Sequence, residues 1–390
     1  MRAIWILGGG LALCLALTSA AEARDPCRTL PEHSTAEMAS PGPHPVGQRT
    51  FTYVDSSRPT MPNGTFPGAP DRTLVTEVYY PASAAGRDAP FDPNAGPYPV
   101  VVYSHGFLDS RQGGEYLTLH LASHGYIVAS TDYPLSNGSA PGGATVADIA
   151  NQPGDWSFVL DQVLTEFGAD ADVERIGATG LSLGGLTTYL VTYHRDLRDP
   201  RIRAAAPIAG PACLFERSFY QTTDAPLLVL FGDSDQLVPF RQNGARAFRK
   251  AGRPKFLVLL DAGSHTGFST FAELFDPSIH FDAIGCEAIG LGLTPDQTDP
   301  NAGAFAGLGG EGTGVNLAPR RCPLPCLKPV PTTPSMGATR QHTLVKASVR
   351  AMFDAYLRGD DSARCFLQRS LRRQNDDLRV RAHGTEPVAP

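Results

Sequence analysis

The stretch best suited to chemistry is residues 180–184, Gly-Leu-Ser-Leu-Gly, which has the pattern G-x-S-x-G. The apolar run 176–179 before it predicts a buried strand, and apolar residues at helical spacing over 186–193 predict a helix after it. A strand that turns directly into a helix places the serine hydroxyl at the helix N-terminus, where backbone N–H groups can stabilise an oxyanion. We therefore predict that Ser182 is a catalytic nucleophile; the alternative is a glycine-rich turn with an ordinary serine.

A serine hydroxyl is a weak nucleophile unless a histidine accepts its proton and a carboxylate orients that histidine. Asp235 follows the apolar run 226–231, and His265 follows the apolar run 255–260. Parallel α/β sheets place their sites at the carboxyl ends of strands, so these residues are the predicted acid and base. The competing residues are Asp233, which can cap the same turn, Asp261, which can end its strand, and His280, which can pack between aromatic residues.

A third loop can supply oxyanion donors. His105-Gly106-Phe107 follows the β-branched run 97–103. The backbone N–H of Phe107, together with that of Leu183, would face the negative charge that develops on an attacked carbonyl. We interpret His105 itself as a structural hydrogen-bonding residue of this turn rather than as a second base.

Strand-like and helix-like segments alternate from about residue 98 to 260, which predicts an α/β fold with a mostly parallel, doubly wound sheet and flanking helices. We expect a signal peptide at 1–23, an extended N-terminal segment at 24–70, an α/β domain at 71–360 and a disordered charged tail at 361–390. A long irregular insertion at 269–340 precedes the last helix. Because both of its ends leave the predicted catalytic edge, we expect the insertion to act as a lid; the alternative, given its Gly, Pro and Asp content, is a disordered segment.

The composition and charge of the chain limit the classes of function that are expected. The chain has 390 residues, a net charge of −6 and no long basic run, so nucleic-acid binding is not expected. An Ala-Glu-Ala cleavage site at 21–23 follows a short apolar run, which indicates a secreted or periplasmic protein without stable membrane insertion. Residues 296–301 carry oxygen ligands but are interpreted as a turn, so we expect neither a metal nor a cofactor.

Six cysteines follow the predicted signal peptide: Cys27, Cys213, Cys286, Cys322, Cys326 and Cys365. An even number in an exported chain predicts disulfides, although the sequence does not choose their pairing. Cys322 and Cys326 could instead begin a zinc site, but no second ligand pair lies nearby. The insertion holds three of the six cysteines, so at least one of them should pair outside it.

With these residues identified, the chain resembles the α/β-hydrolase superfamily over about 73–268 and again at 343–358. Within it, the chain is most similar to the dienelactone-hydrolase-like group, near platelet-activating factor acetylhydrolases and bacterial cutinase-type polyester hydrolases. The stretches that carry the resemblance are Ser104-His105-Gly106-Phe107, residues 121–128, residues 180–185 and Gly263-Ser264-His265. The resemblance implies an eight-stranded sheet, a triad of Ser182, Asp235 and His265, and ester hydrolysis without a cofactor.

The chain departs from these relatives at three points. Position 182 is serine where dienelactone hydrolases have cysteine, and residues 210–213 are Gly-Pro-Ala-Cys where cutinase-type enzymes have a tryptophan nearby. The insertion also separates His265 from the last helix. We therefore expect a secreted serine carboxylesterase for short-acyl or lipid-like small-molecule esters, similar to platelet-activating factor acetylhydrolases. The alternatives are a cutinase-type polyester hydrolase, an acyltransferase and a non-catalytic binding module.

Overall fold

The computed structural model describes residues 26–94, 96–292, 305–317 and 322–385. The predicted signal peptide at 1–23 and the predicted turn at 296–301 lie outside the described residues. Among the helices of the described ranges, none combines the length and the apolar character that a membrane crossing requires.

The described residues form one ten-stranded sheet. The strands, β1 to β10 in chain order, are Val46–Asp55, Arg72–Pro81, Gly86–Arg87, Tyr98–Ser104, Ile127–Thr131, Ala171–Leu181, Ile202–Ile208, Leu227–Gly232, Lys255–Leu260 and Leu378–His383. They lie in the order β10-β9-β8-β7-β6-β4-β5-β2-β1-β3. From β5 to β9 along this order, each strand pairs parallel to its neighbour, whereas β2 pairs antiparallel to both β5 and β1. The predicted parallel, doubly wound centre is confirmed.

Helices cover both faces of this sheet. In chain order, α1 to α9 are Thr35–Ala39, Glu115–Ser123, Gln152–Phe167, Leu183–Tyr193, Gly244–Lys250, Asp282–Gly292, Ala338–Leu357, Asp361–Cys365 and Leu371–Gln374. Successive residues of a strand point to opposite faces. Val100 of β4 accordingly packs in one core with α3, and Val101 packs in a second core with α2, α4 and α7. The strands β4, β5, β8 and β9 are buried along their whole length, because helices shield both faces.

The two ends of the chain are more regular than expected. The segment 24–70 contains β1, which pairs with all of β2 from Val46 opposite Pro81 to Asp55 opposite Arg72. The segment 361–390, expected to be disordered, contains α8, α9 and β10, and β10 pairs antiparallel with β9. The same reason explains the regular structure of both segments. Each has a polar composition of its own and is ordered by backbone pairing with a neighbouring strand. The strands β3 and β10 also raise the number of strands from the eight implied by the resemblance to ten.

Three disulfides join Cys27 to Cys365, Cys213 to Cys322 and Cys286 to Cys326. The Cys213–Cys322 bridge confirms that the insertion pairs outside itself. The disulfide interpretation of Cys322 and Cys326 is confirmed over the zinc alternative, since each of the two sulfurs bonds to another cysteine.

The insertion is attached at several points, beyond its disulfides, to the loops that follow the carboxyl ends of β7, β8 and β9. The backbone N–H of Asn316 donates to the carbonyl of Leu214 at 2.8 Å, and that of Met336 donates to the carbonyl of Ala262 at 2.8 Å. The backbone N–H of Cys326 also donates to the carbonyl of Gln236 at 2.9 Å. The segment is therefore less irregular than its composition predicts.

Candidate active site

Ser182 stands in a tight turn between β6 and α4. Its φ of 57° lies in the left-handed region, which a non-glycine residue rarely adopts. The flanking glycines make this turn possible: a Cβ on Gly184 would lie 2.0 Å from the carbonyl oxygen of Ser104, and a Cβ on Gly180 would lie 2.6 Å from that same oxygen. The strand, sharp turn and helix expected around Ser182 are all present, and the serine is half-buried beside a cavity.

Asp235 and His265 meet at the carboxyl ends of β8 and β9. The Oδ2 atom of Asp235 lies 2.8 Å from Nδ1 of His265, and both side chains are buried. The Oδ1 atom of Asp235 accepts hydrogen bonds from the backbone N–H groups of Leu237 at 2.9 Å and Val238 at 2.6 Å. This turn fixes one carboxylate oxygen, so that the other oxygen is aimed at the histidine.

The competing residues have other partners. Asp233 accepts a hydrogen bond from the backbone N–H of Ala262 at 2.8 Å and also pairs with Arg379 of β10. Asp261 accepts from Nε of the same arginine at 2.8 Å. Nε2 of His280 lies 2.8 Å from Oγ of Ser234. The structure thus brings Asp235, and neither competing aspartate, to His265.

Asp282, at the start of α6 in the insertion, is a site residue that the sequence did not reveal. Its Oδ2 accepts from the backbone N–H of Gln236 at 2.9 Å, and its Oδ1 accepts from that of Thr266 at 2.8 Å. Gln236 follows Asp235, the predicted acid, and Thr266 follows His265, the predicted base, so one fully buried carboxylate holds both loops together. An acidic residue at a helix start is common, and no local signal ties this one to loops so distant in the chain.

The electrostatics of His265 depend on both carboxylates. Burial lowers the pKa of His265, but the charge of Asp235, its hydrogen bond and the charge of Asp282 outweigh burial, so the pKa lies above its ordinary value. Burial raises the pKa of Asp235 to about 6, with Asp282 acting in the same direction and His265 opposing it. The carboxylates of Asp235 and Asp282 therefore favour the protonated form of His265.

The loop that carries Phe107 lies against the Ser182 turn. Among the hydrogen bonds of the described residues, none uses the backbone N–H of Phe107 or of Leu183 as its donor, and Leu183 is the first residue of α4. His105 is buried and accepts from the backbone N–H of Tyr133 at 3.0 Å through Nε2, while Nδ1 lies 2.7 Å from the carbonyl of Gly106. The structural interpretation of His105 is confirmed, and burial lowers its pKa.

Two cavities meet at Ser182, and both are bounded by Phe107, Leu237 and Ile289. The first has a volume of about 130 Å³ and is also lined by Val146, Leu186, Leu214, Phe305 and the bonded pair Cys213 and Cys322. We call it the disulfide cavity. The second, which we call the histidine cavity, has a volume of about 220 Å³ and is also lined by His265, Asp109, Phe271, Phe275 and Ile284. Insertion residues thus line both cavities.

Asn243 and Asp109 are two further polar residues of these cavities that the sequence did not single out. The buried Oδ1 of Asn243 accepts from the backbone N–H groups of Ala212 at 2.9 Å and Cys213 at 3.1 Å, which fixes the loop after β7. Asp109 adds a carboxyl to the histidine cavity, where burial raises its pKa to about 7.

Known proteins are similar to this chain over part of its length. A family model described as chlorophyllase matches residues 90–209. Chlorophyllase-1 of Arabidopsis thaliana is 31% identical over 122 residues, which are 30% of this chain and 37% of that protein. The chain thus matches little more than a third of the length of that relative. The matched family region contains the Phe107 loop and the Ser182 turn and ends before Asp235 and His265.

A solved structure is similar to a larger part of the chain. The ferulic acid esterase from Streptomyces cinnamoneus aligns over 83% of this chain and 93% of its own, with a TM-score of 0.55 and 23% sequence identity. At this identity the likeness concerns the fold. Together with the parallel sheet and its flanking helices, it shows that the chain has the α/β-hydrolase fold.

Proposed function

We propose that this chain, which has the α/β-hydrolase fold, is a serine hydrolase of carboxylic esters. Ser182 is the nucleophile, His265 the general base and acid, and Asp235 the carboxylate that orients the histidine. The observation that carries the proposal is the 2.8 Å contact between Asp235 and His265, at the edge of a cavity that Ser182 also lines. The strained backbone of Ser182 supports it, because such strain is concentrated at functional sites.

The reaction has two halves. The hydroxyl of Ser182 gives its proton to Nε2 of His265 while its oxygen bonds to the ester carbon, and the carbonyl oxygen becomes an oxyanion beside the N–H groups of Phe107 and Leu183. His265 then gives that proton to the departing alcohol oxygen, and the bond between the carbon and that oxygen breaks. A water molecule repeats the sequence on the acyl-enzyme, which releases the acid and restores Ser182.

The proposed substrates are short-acyl or lipid-like small-molecule esters. Both cavities at Ser182 are lined mainly by apolar side chains, which favours an uncharged acyl group and an apolar or amphipathic alcohol. The names of the similar proteins, chlorophyllase and ferulic acid esterase, are consistent with esterase chemistry. Export from the cytoplasm is part of the proposal, since the three disulfides suit an oxidising compartment.

The test combines turnover with covalent labelling. The purified protein should hydrolyse p-nitrophenyl esters, and a fluorophosphonate should stop turnover and add to Ser182, as peptide mass spectrometry would show. Product analysis with an added alcohol separates hydrolysis from acyl transfer: free acid is expected to predominate over a new ester. A folded protein that neither turns over esters nor reacts with the fluorophosphonate would contradict the proposal and favour a binding module.

A further inference from the structure

The two cavities at Ser182 are chemically unequal, because the histidine cavity contains His265 and the disulfide cavity does not. In ester cleavage, the histidine protonates the oxygen of the departing alcohol. That oxygen must therefore lie on the histidine side of Ser182. If the proposed function holds, the alcohol occupies the histidine cavity and the acyl chain is left with the disulfide cavity.

The Cys213–Cys322 disulfide attaches one end of a wall of the disulfide cavity to the loop after β7. Cys213 lies in the loop after β7, where its backbone N–H is held by Asn243, and its sulfur bonds to Cys322 of the insertion. Pro323 and Pro325, which follow Cys322, line the same cavity. The bond thus holds the stretch 322–325 against the loop after β7.

The insertion is also paired with this loop by backbone contacts. Phe215 and Val315 form an antiparallel bridge, and the backbone N–H of Glu216 donates to the carbonyl of Gly314 at 2.8 Å. These backbone contacts fix residues 314–316 without any help from the disulfide. At the other end of the wall, Cys326 is held by its bond to Cys286 and by the carbonyl of Gln236. Loss of the Cys213–Cys322 bond should therefore free the Cys322 end of the wall while residues 314–316 and 326 stay in place.

We propose that the Cys213–Cys322 disulfide is the element that limits the acyl group of the substrate. It closes a cavity of about 130 Å³. A cavity of roughly 150 Å³ in another protein holds one benzene molecule, so this cavity suits an acyl chain of up to roughly six carbons or a single aromatic ring. Longer acyl chains would have to displace the wall.

The test compares two disulfide-free variants. The double variant Cys213→Ala, Cys322→Ala detaches the Cys322 end of the wall, and the matched control Cys27→Ala, Cys365→Ala removes a bridge that lines neither cavity. Each protein is assayed with p-nitrophenyl esters of two to twelve acyl carbons and with acetates of alcohols of increasing size. The ratio of kcat/KM for the octanoate to that for the butanoate should rise about 10-fold or more in the first variant, since one methylene in an apolar pocket alone changes selectivity on this scale. The control should keep the parent ratio, and neither variant should change the alcohol profile.

A second variant keeps every disulfide and fills the same cavity. Val146 lines only the disulfide cavity, so Val146→Phe should reduce kcat/KM for the hexanoate more than for the acetate and leave the acetate series of alcohols unchanged. This variant decides the matter if the cysteine variant does not fold.

Two results would overturn the inference. One is an active Cys213→Ala, Cys322→Ala protein with the parent acyl profile; the other is a Val146→Phe protein whose alcohol profile changes while its acyl profile does not. Both results leave ester turnover by the parent protein intact, so they are distinct from failure of the proposed function. A parent protein that hydrolyses no ester would remove the basis of both.

Discussion

At the scale of single residues, the candidate site depends on the orientation of two neighbouring carboxylates. That of Asp235 faces His265, and that of Asp233 binds other residues. Asp233 and Asp235 lie two positions apart in the same loop, yet only Asp235 contacts His265. The difference arises because the N–H groups of Leu237 and Val238 hold one oxygen of Asp235, while Asp233 turns towards Ala262 and Arg379. Residue type alone does not distinguish the two.

Replacement of Ser182 by alanine should lower kcat/KM for p-nitrophenyl esters by on the order of 10⁴-fold or more, because the acyl-enzyme can no longer form. The melting temperature should stay close to that of the parent, since a half-buried hydroxyl is lost and the turn is kept. The measurement is steady-state turnover beside a thermal melt. A clean preparation with near-parental activity would show that another residue is the nucleophile.

Asp235→Asn should lower kcat by on the order of 10⁴-fold, whereas Asp233→Asn should leave it near the parent value. An amide at 235 would present an N–H to Nδ1 of His265, which forces the proton onto Nε2 and leaves no acceptor for the serine proton. An amide at 233 keeps the oxygen that accepts from Ala262 and loses only an exposed ion pair. The reverse order of the two activities would identify Asp233 as the acid.

At the scale of elements, α6 does more than line the cavities at Ser182: it also contacts the loops that carry Asp235 and His265. Asp282 accepts N–H groups from the acid loop and from the base loop at the same time, so the insertion positions the pair that it also covers. The disulfide between Cys286 of α6 and Cys326 holds this helix beside the loops. The lid function remains a proposal, but the described part of the insertion cannot move freely away without disturbing the pair.

Asp282→Asn should shift the acid limb of the pH profile of kcat/KM to lower pH. The negative charge of Asp282 raises the pKa of His265, and the histidine must be neutral to accept the serine proton. Removal of the charge lowers that pKa, so activity rises at lower pH than in the parent. The amide can also accept only through its oxygen, so one of the two loops is loosened and kcat should fall by on the order of 10- to 100-fold.

Asp276→Asn is the matched control for this variant, since Asp276 lies on the surface of the same insertion and its carboxylate accepts from the backbone N–H of Ser278 at 2.8 Å. Its pH profile should coincide with that of the parent. An unchanged acid limb in an active Asp282→Asn protein would show that Asp282 has a structural role alone.

At the scale of the whole molecule, the disulfides connect parts that are distant in the chain. Cys27–Cys365 spans 338 residues and ties the N-terminal segment to α8, while Cys213–Cys322 spans 109 residues and ties the insertion to the loop after β7. Together with β10 on the edge of β9, these links make the ends of the chain part of the domain.

The protein without its predicted signal peptide should contain no free thiol when titrated under denaturing conditions, and reduction should lower its melting temperature. Each bridge restricts the unfolded chain and contributes about 2–4 kcal/mol to the free energy of unfolding. The control is the same thermal melt in oxidised buffer. Two or more free thiols per molecule would contradict the pairing.

The sequence by itself determined the fold class and the turn at Ser182, because both depend on local patterns. Alternating apolar runs and amphipathic segments between 98 and 260 are sufficient to predict a parallel sheet, and the pattern G-x-S-x-G between a strand pattern and a helix pattern is sufficient to predict the turn. Turn chemistry likewise favoured Asp235 and His265. Such signals are short-range, so one chain without relatives is enough to read them.

Only the tertiary structure decided what depends on contacts between distant segments. The segments β1 and β10 are ordered because their backbones pair with neighbouring strands. The disulfide pairing comes from the approach of residues up to 338 positions apart. The role of Asp282 comes from its contacts with two loops. Composition predicted an extended segment at 24–70 and disorder at 361–390, because it does not register hydrogen bonds that a neighbouring strand supplies. Asp282 and the Cys213–Cys322 wall escaped prediction for the same physical reason: their partners are adjacent in space and remote in sequence.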